Sequence, residues 1–184
     1  MRADFHVLLD ACVLANQGLT DLLLRLAERP RLFQPHWSAE ILEEVRRTHL
    51  EKLGWPENLA DSFQREIRNA FPQSEIESYE QLIPALTNDD KDRHVLAAAI
   101  RGKCPLILTF NLKHFKAEDL APHAICAAHP ESYLVTLYEM APEQVMGTLG
   151  EIAGRRRMEI EDVLIRLGSV VPTFSSRLLD GLPE

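Results

Sequence analysis

Short apolar runs that each end on a polar residue constrain this fold more than any other feature of the chain. "FHVLLD" at residues 5–10 ends on Asp10, and "CPLILTF" at 104–110 leads to Asn111. Such runs are typical of buried parallel strands, whose polar residues emerge at the carboxyl edge of the sheet. "RLFQPHW" predicts a short second strand that Pro35 ends early, because proline lacks the ladder donor, and "AICAAH" predicts a weak final strand.

Helical patterns separate these runs. The helical segments are "GLTDLLLRLAE", "AEILEEVRRTHLEKL", "ENLADSFQREIRNAF", "SYEQLI" and "HVLAAAI". Alternation of strands and helices predicts a parallel sheet between two helical layers. From Tyr133 onward the patterns are helical only, so we predict a domain at 1–132 and a C-terminal helical extension at 133–184. The extension should pack on the domain or on a second copy, with Leu164, Ile165 and Leu167 buried.

Composition limits the class of protein. The chain has 184 residues, 46% of them hydrophobic, which suffices for one core. We expect a cytoplasmic protein without a membrane segment, since no apolar stretch reaches about 18 residues. The net charge of −8 argues against a broad phosphate-binding surface, although it does not exclude a nuclease whose carboxylates hold metal. The three cysteines and seven histidines show no CxxC or HExxH spacing, so neither a disulfide framework nor a zinc site is predicted.

The acidic stretch "LTNDDKDRHVLAAAI" at residues 86–100 allows two interpretations. Thr87 or Asn88 can cap a helix whose first turn carries acids that complement the helix dipole. Alternatively, Asp89 and Asp92 lie three residues apart on one helix face and point a carboxylate at a metal ion. The stretch by itself favours capping, so the decision depends on the rest of the chain.

Other acids favour the metal. Ser38 is expected to cap the helix that follows it, and Glu44 lies nearer the apolar stripe of that helix than its neighbouring acids do. Ligands of open α/β sheets bind at the carboxyl ends of strands, where Asp10 and Asn111 are expected. Elements arranged in this way can bring Asp10 and Asn111 together with Glu44, Asp89 and Asp92 as hard oxygen ligands. Such ligands suit Mg²⁺ or Mn²⁺ and the hydrolysis of phosphodiesters.

Four segments carry a specific resemblance. "VLLDACVL", "SAEILEEVRR", "NDDKDRHVLAAAI" and "LILTFNLKHF" resemble, in this order, the PIN-domain family and most closely its bacterial VapC-like toxin ribonucleases. The resemblance covers residues 5 to about 127 and implies a three-layer, Rossmann-like α/β/α fold. It implies Asp10, Glu44 and Asp92 as metal ligands and catalytic residues, with Asn111 as the fourth catalytic position. Thr109 matches the family's small hydroxyl, and Asp89 is expected to support Asp92.

The resemblance also implies a function. It predicts a Mg²⁺- or Mn²⁺-dependent endoribonuclease, the toxin of a type II toxin–antitoxin pair, with RNA as substrate and a small antitoxin or a second copy as partner. Many family members carry an acid where this chain has Asn111. One alternative is therefore a degenerate PIN fold that binds RNA or protein without chemistry. A haloacid dehalogenase-type phosphatase is disfavoured, since Cys12 stands where that motif needs a second acid.

Overall fold

A five-stranded parallel sheet forms the centre of the protein. The computed structural model describes residues 4–182. The strands lie in the order β3-β2-β1-β4-β5, and every neighbouring pair is parallel. Their bounds are β1 His6–Leu9, β2 Gln34–Ser38, β3 Glu75–Ile76, β4 Leu106–Leu108 and β5 Cys126–Ala128. The predicted parallel α/β fold is confirmed.

Helices connect the strands and extend the chain beyond them. They are α1 Ala11–Leu14, α2 Gln17–Glu28, α3 Ala39–Glu51, α4 Glu57–Ala70, α5 Arg93–Arg101, α6 Ala117–Leu120, α7 Pro130–Met140, α8 Pro142–Arg156, α9 Ile160–Leu167 and α10 Pro172–Leu179. The strand order reverses direction after β3. Because parallel crossovers are right-handed, this reversal places the two sets of connecting helices on opposite faces of the sheet. The switch point falls between β1 and β4, where a ligand site is expected.

The second strand differs from the sequence-based prediction. Pro35 does not end β2 but lies within it, paired with Val7. The backbone N–H of Gln34 donates toward β1, to Phe5. The nitrogen of Pro35 faces the other side of β2. The strand on that side, β3, pairs only with Trp37 and Ser38. A proline is tolerated there because no ladder bond is required of it. The two-residue strand β3 escaped the sequence analysis because it is too short to show a period.

Local signals set the start of α3 as predicted. The Ser38 hydroxyl accepts a hydrogen bond from the backbone N–H of Ile41 at 3.2 Å. Trp37 and Leu42, on either side of this cap, are fully buried. Such a capped and anchored start fixes the direction in which the chain enters the helix. Glu44, one turn further along, is half-buried, as the helical periodicity predicts.

The C-terminal helices pack on the α/β core. Tyr133 meets Phe33 edge-to-face at 5.4 Å, and Arg156 on α8 pairs with Asp21 on α2 at 2.8 Å. The predicted boundary at residue 133 falls inside α7. The division into two domains stays a prediction. Its outermost residues, 1–3 and 183–184, lie outside the described part of the chain.

The predicted buried face of α9 needs one correction. Leu164 and Leu167 are buried as predicted, whereas Ile165 is 63% exposed. The prediction for Ile165 was wrong because the helical period places the buried face of α9 at Val163, Leu164 and Leu167. Ile165 lies on the opposite face. Within residues 4–182, no helix combines the length and apolar character that a membrane crossing requires.

Candidate metal centre

Asp10 lies at the carboxyl end of β1, beside the switch point. Its backbone N–H continues the sheet by donating to Leu108, and its carbonyl accepts from Val13 and Leu14 at the start of α1. The strand and the helix together hold the residue rigidly, and only 3% of it is exposed. The first turn of α1 does not use the carboxylate as a cap. The side chain is therefore available for another role.

A chain of hydrogen bonds orients the Asp10 carboxylate. The buried Thr109 hydroxyl donates to Oδ2 of Asp10 at 2.6 Å and accepts from the backbone N–H of Asn111 at 3.0 Å. The Cys12 thiol donates to the same oxygen at 3.1 Å. Both donors engage Oδ2, and no donor among residues 4–182 reaches Oδ1. This arrangement fixes the rotamer and leaves one oxygen for a ligand.

The Cys12 thiol acts here as a hydrogen-bond donor. Burial and then the charge of Asp10 raise the pKa of Cys12 to about 12. The thiol is therefore neutral near pH 7 and can donate its hydrogen. The backbone N–H of Phe110 points at Sγ from 3.4 Å. Cys12 thus links the start of α1 to the end of β4.

Asp92 approaches the same edge from the start of α5. Its side chain is 15% exposed, and Nδ1–H of His114 donates to its Oδ2 at 2.8 Å. Burial and the nearby charge of Asp10 raise the pKa of Asp92, and His114 only partly offsets these two effects. Two carboxylates thus stand close enough to repel each other. A cation between them would remove that penalty.

The acids beside Asp92 have separate roles. Asp89 is exposed and caps the turn Asp90–Asp92 by accepting from the backbone N–H of Lys91. Asp90 pairs with Arg93 at 2.5 Å. The predicted caps Thr87 and Asn88 were wrong: Thr87 donates to Asp119, and the buried Asn88 side chain has no partner within residues 4–182. Their positions are one or two residues too early, because a 3-10 turn precedes the helix.

Glu44 belongs to a second acidic group around a buried histidine. Its Oε1 lies 3.5 Å from Nε2 of His94, and Oε2 of Glu40 lies 3.7 Å from Nδ1. These are ion-pair contacts rather than well-formed hydrogen bonds. Burial by itself lowers the pKa of His94, but Glu44, Glu40 and Asp10 outweigh it and raise that pKa. Tyr79 donates its hydroxyl to Glu40 at 3.2 Å.

The predicted site residues converge on one edge without forming a closed ligand shell. Within residues 4–182, the oxygens of Asp10, Glu44 and Asp92 are not all within 4.8 Å of one another, whereas Asp89, Asp92 and His114 do form such a group. Asp10 and Glu44 both contribute to the electrostatics of His94. Asn111 lies beside Thr109 and is bound to it through its backbone. The donor set, carboxylate oxygens with a free lone pair, fits a hard divalent ion.

Comparison with known proteins identifies the family. A family profile described as "PIN domain" matches residues 4–113.

The chain belongs to the PIN-domain family.

Its sequence is also 36% identical over 135 residues to "Putative ribonuclease VapC50" of Mycobacterium tuberculosis (strain ATCC 25618 / H37Rv), across 72% of this chain and 78% of that protein. The predicted resemblance to VapC-like PIN domains is confirmed. No solved structure gave a significant match.

Three residues of this PIN domain were missed by the sequence analysis: Cys12, His94 and His114. Each lies in a segment that carries the family resemblance, within a few residues of a predicted site residue. Their side chains contact Asp10, Glu44 and Asp92 respectively. Proximity in sequence was the available signal, but only the folded arrangement pairs each one with its carboxylate.

Proposed function

We propose that this PIN-domain protein is a Mg²⁺- or Mn²⁺-dependent endoribonuclease that hydrolyses RNA phosphodiester bonds in the cytoplasm. The observation that carries the proposal is the pairing of the buried Asp10 with Asp92 at the switch point of the sheet. In the protein alone, His114 offsets only part of the burial and repulsion that raise the pKa of Asp92. The likeness to a protein named as a ribonuclease supports the choice of RNA.

Each residue has a defined part in this proposal. Asp10, Glu44 and Asp92 would hold the ion directly or through water. When bound, the ion polarises the phosphate and lowers the pKa of the attacking water. Thr109 orients Asp10, and His114 orients Asp92 by donating to a single oxygen. Such supporting bonds hold the free oxygens toward one point and so reduce the cost of binding. Asn111 is proposed to orient a water or a phosphate oxygen through its amide.

The resemblance to VapC-like toxin ribonucleases supports a proposal for the biological setting. We propose that the protein is the toxin of a type II toxin–antitoxin pair, with a small antitoxin protein as partner and a second copy of the chain as a further one. Expression of the wild-type chain in a bacterial host should then arrest growth. Expression of the Asp10→Asn variant, at equal protein level, should not. Equal growth arrest by the two proteins would contradict this setting.

The nuclease proposal is tested by cleavage of an end-labelled panel of structured RNAs. The wild-type protein should cleave with Mg²⁺ or Mn²⁺ and should stop when EDTA is added. Asp92→Asn should lose cleavage. Asp90→Asn is the matched control from the same turn, because Asp90 is exposed and its carboxylate pairs with Arg93. Cleavage that survives both EDTA and the Asp92→Asn change would overturn the proposal.

Asn111 favours a second candidate function. An amide contributes no negative charge where many relatives carry an acid, so the domain could bind RNA or protein without cutting it. This candidate predicts that RNA is retained on the protein in the absence of divalent ions. It also predicts that Mn²⁺ produces no heat of binding in a calorimetric titration. Measurable Mn²⁺ binding that Asp92→Asn abolishes would reject it.

A further inference from the structure

A second group of metal-ligand side chains lies at the opposite edge of the sheet. His6 begins β1, His36 lies in β2, and Cys104 lies in the loop between α5 and β4. One ligand atom from each residue lies within 4.8 Å of the other two. His6 and Asp10 stand at opposite ends of β1, with about 13 Å of strand between them, whereas His36 lies level with Leu8. The group shares no residue with the candidate metal centre.

Backbone carbonyls set both imidazoles in the state that a metal ligand requires. Nδ1 of His36 lies 3.3 Å from the carbonyl oxygen of Ser74, and Nδ1 of His6 lies 3.4 Å from that of Gly102. A carbonyl only accepts, so Nδ1 carries the hydrogen and Nε2 keeps its lone pair. Histidine ligands of metal sites are commonly oriented in this way.

The unpaired nitrogen of His36 points to a missing ligand. Its Nε2 is buried and has no hydrogen-bond partner in residues 4–182. A buried polar atom without a partner costs about 1–3 kcal/mol, and such atoms are few in native proteins.

Cys104 supplies a donor of a different kind. It is fully buried, and its thiol donates to the carbonyl of Gly102 at 3.7 Å, the same carbonyl that His6 contacts. The two imidazole rings stack with their centroids 4.6 Å apart. Two imidazole nitrogens and one sulfur form a donor set that suits Zn²⁺ and disfavours Mg²⁺, which prefers oxygen.

We propose that His6, His36 and Cys104 bind a Zn²⁺ ion. Three protein ligands leave the fourth tetrahedral position for water. The ion could enter through a surface cavity of about 380 Å³ that His36 and Ser74 help to line. Bound there, it would tie β1, β2 and the loop before β4 together and raise the stability of the fold.

Cobalt is the probe for this site, because a thiolate bound to Co²⁺ gives an absorption band that carboxylate ligands do not. Full-length protein should develop this band at one equivalent of Co²⁺ in excess Mg²⁺, and Zn²⁺ should then displace the Co²⁺. Cys104→Ser should remove the band and lower the Zn²⁺ affinity more than about 100-fold, since even supporting residues of metal sites account for 10–100-fold. His36→Gln should lower the Zn²⁺ affinity in the same way.

Two matched controls exclude the other thiols. Cys126→Ser changes an exposed cysteine, and Cys12→Ser changes the one beside Asp10; both should keep the band. Absence of the band in the wild-type protein would overturn the proposal, and this measurement needs no variant to fold. Persistence of the band in Cys104→Ser would overturn it as well. Neither result bears on RNA cleavage, which the carboxylates at the opposite edge would perform.

Discussion

At the residue scale, the Thr109 hydroxyl links Asp10 to Asn111 in the candidate metal centre. It donates to Asp10 and accepts from the backbone of Asn111, and it is fully buried. A methyl group of similar size could fill the space but could make neither bond. Substitutions of Thr109 can therefore distinguish the effect of side-chain shape from the effect of hydrogen bonding in this site.

We predict that Thr109→Val lowers both stability and metal affinity. The Asn111 N–H would lose its acceptor and Asp10 one donor, at a cost of about 1–3 kcal/mol in the free energy of unfolding. Chemical denaturation measures the stability, and Mn²⁺ titration measures the affinity. Thr109→Ser keeps the hydroxyl and should retain most of the affinity. Equal Mn²⁺ affinity in the Val and Ser variants would contradict the orienting role.

Asp92→Asn should lose Mn²⁺ binding but keep or gain stability without metal. The raised pKa of Asp92 means that the folded protein holds the charged form at a cost. The contribution of Asp92 to the stability of the wild-type protein is fully present below the ordinary carboxyl pKa. It is lost as the pH rises through the raised pKa of the folded state. The amide of the Asp92→Asn variant does not titrate, so this part of the pH dependence of stability should disappear. Denaturation curves across this pH range check the prediction, and a variant that unfolds would favour a structural role for Asp92.

Asn111→Asp should tighten Mn²⁺ binding if Asn111 lines the metal centre. A fourth carboxylate attracts the ion but also repels Asp10 and Asp92, so the metal-free protein should lose stability that metal then restores. Calorimetric titration of Mn²⁺ into both proteins and parallel RNA cleavage measure the effect. Unchanged affinity together with unchanged cleavage would place Asn111 outside the site.

At the element scale, His49 joins α3, which carries Glu44, to α4. The ring is fully buried, stacks on Trp55 at 3.9 Å and meets Phe63 edge-to-face at 4.9 Å. Neither ring nitrogen has a side-chain or backbone partner of good geometry in residues 4–182. The histidine thus packs as an aromatic residue and must remain neutral to do so.

His49→Phe should flatten the acid dependence of stability. Burial lowers the pKa of His49 below its ordinary 6.5, which the contact with Ala15 only partly offsets. A group with a lowered folded-state pKa stabilises the fold above the ordinary value, and this contribution is lost as the pH falls through the lowered one. Phenylalanine cannot protonate, so the variant should resist acid better and match the wild type near pH 8. Identical pH profiles would refute this explanation.

At the scale of the whole molecule, the C-terminal helices complete the core. Residues such as Leu149, Ile152 and Phe174 are almost fully buried, and Tyr133 packs on the buried Phe33. The Arg156–Asp21 pair is partly exposed and adds little by comparison. Apolar contact therefore holds these helices in place.

Deletion of the chain from Pro130 onward should expose this apolar surface and cause aggregation. Light scattering of the purified fragment measures the effect. A matched pair within α9 tests the same packing in the full chain. Leu164→Ala removes a fully buried side chain and should cost about 2–5 kcal/mol, whereas Ile165→Ala changes an exposed one and should cost little. A soluble, fully active fragment would contradict the prediction.

The sequence by itself determined the local features of this protein. Asp10 follows an apolar run, Ser38 caps a helix, and strands alternate with helices, and each of these features depends on residues close together in the chain. The family resemblance rests on the same short segments. Short-range signals therefore sufficed for the parallel α/β fold, and they also selected the candidate carboxylates, whose role stays a prediction. They failed for β3 and for Pro35, where pairing with a neighbouring strand decides the outcome.

Only the tertiary structure decided which side chains meet. Thr109 reaches Asp10 across 99 residues of sequence, and His114 reaches Asp92 across 22. The group of His6, His36 and Cys104 likewise spans three separate elements. The order of strands in the sheet brings these residues together, and that order depends on the packing of the entire chain. Periodicity within one segment carries no information about such contacts.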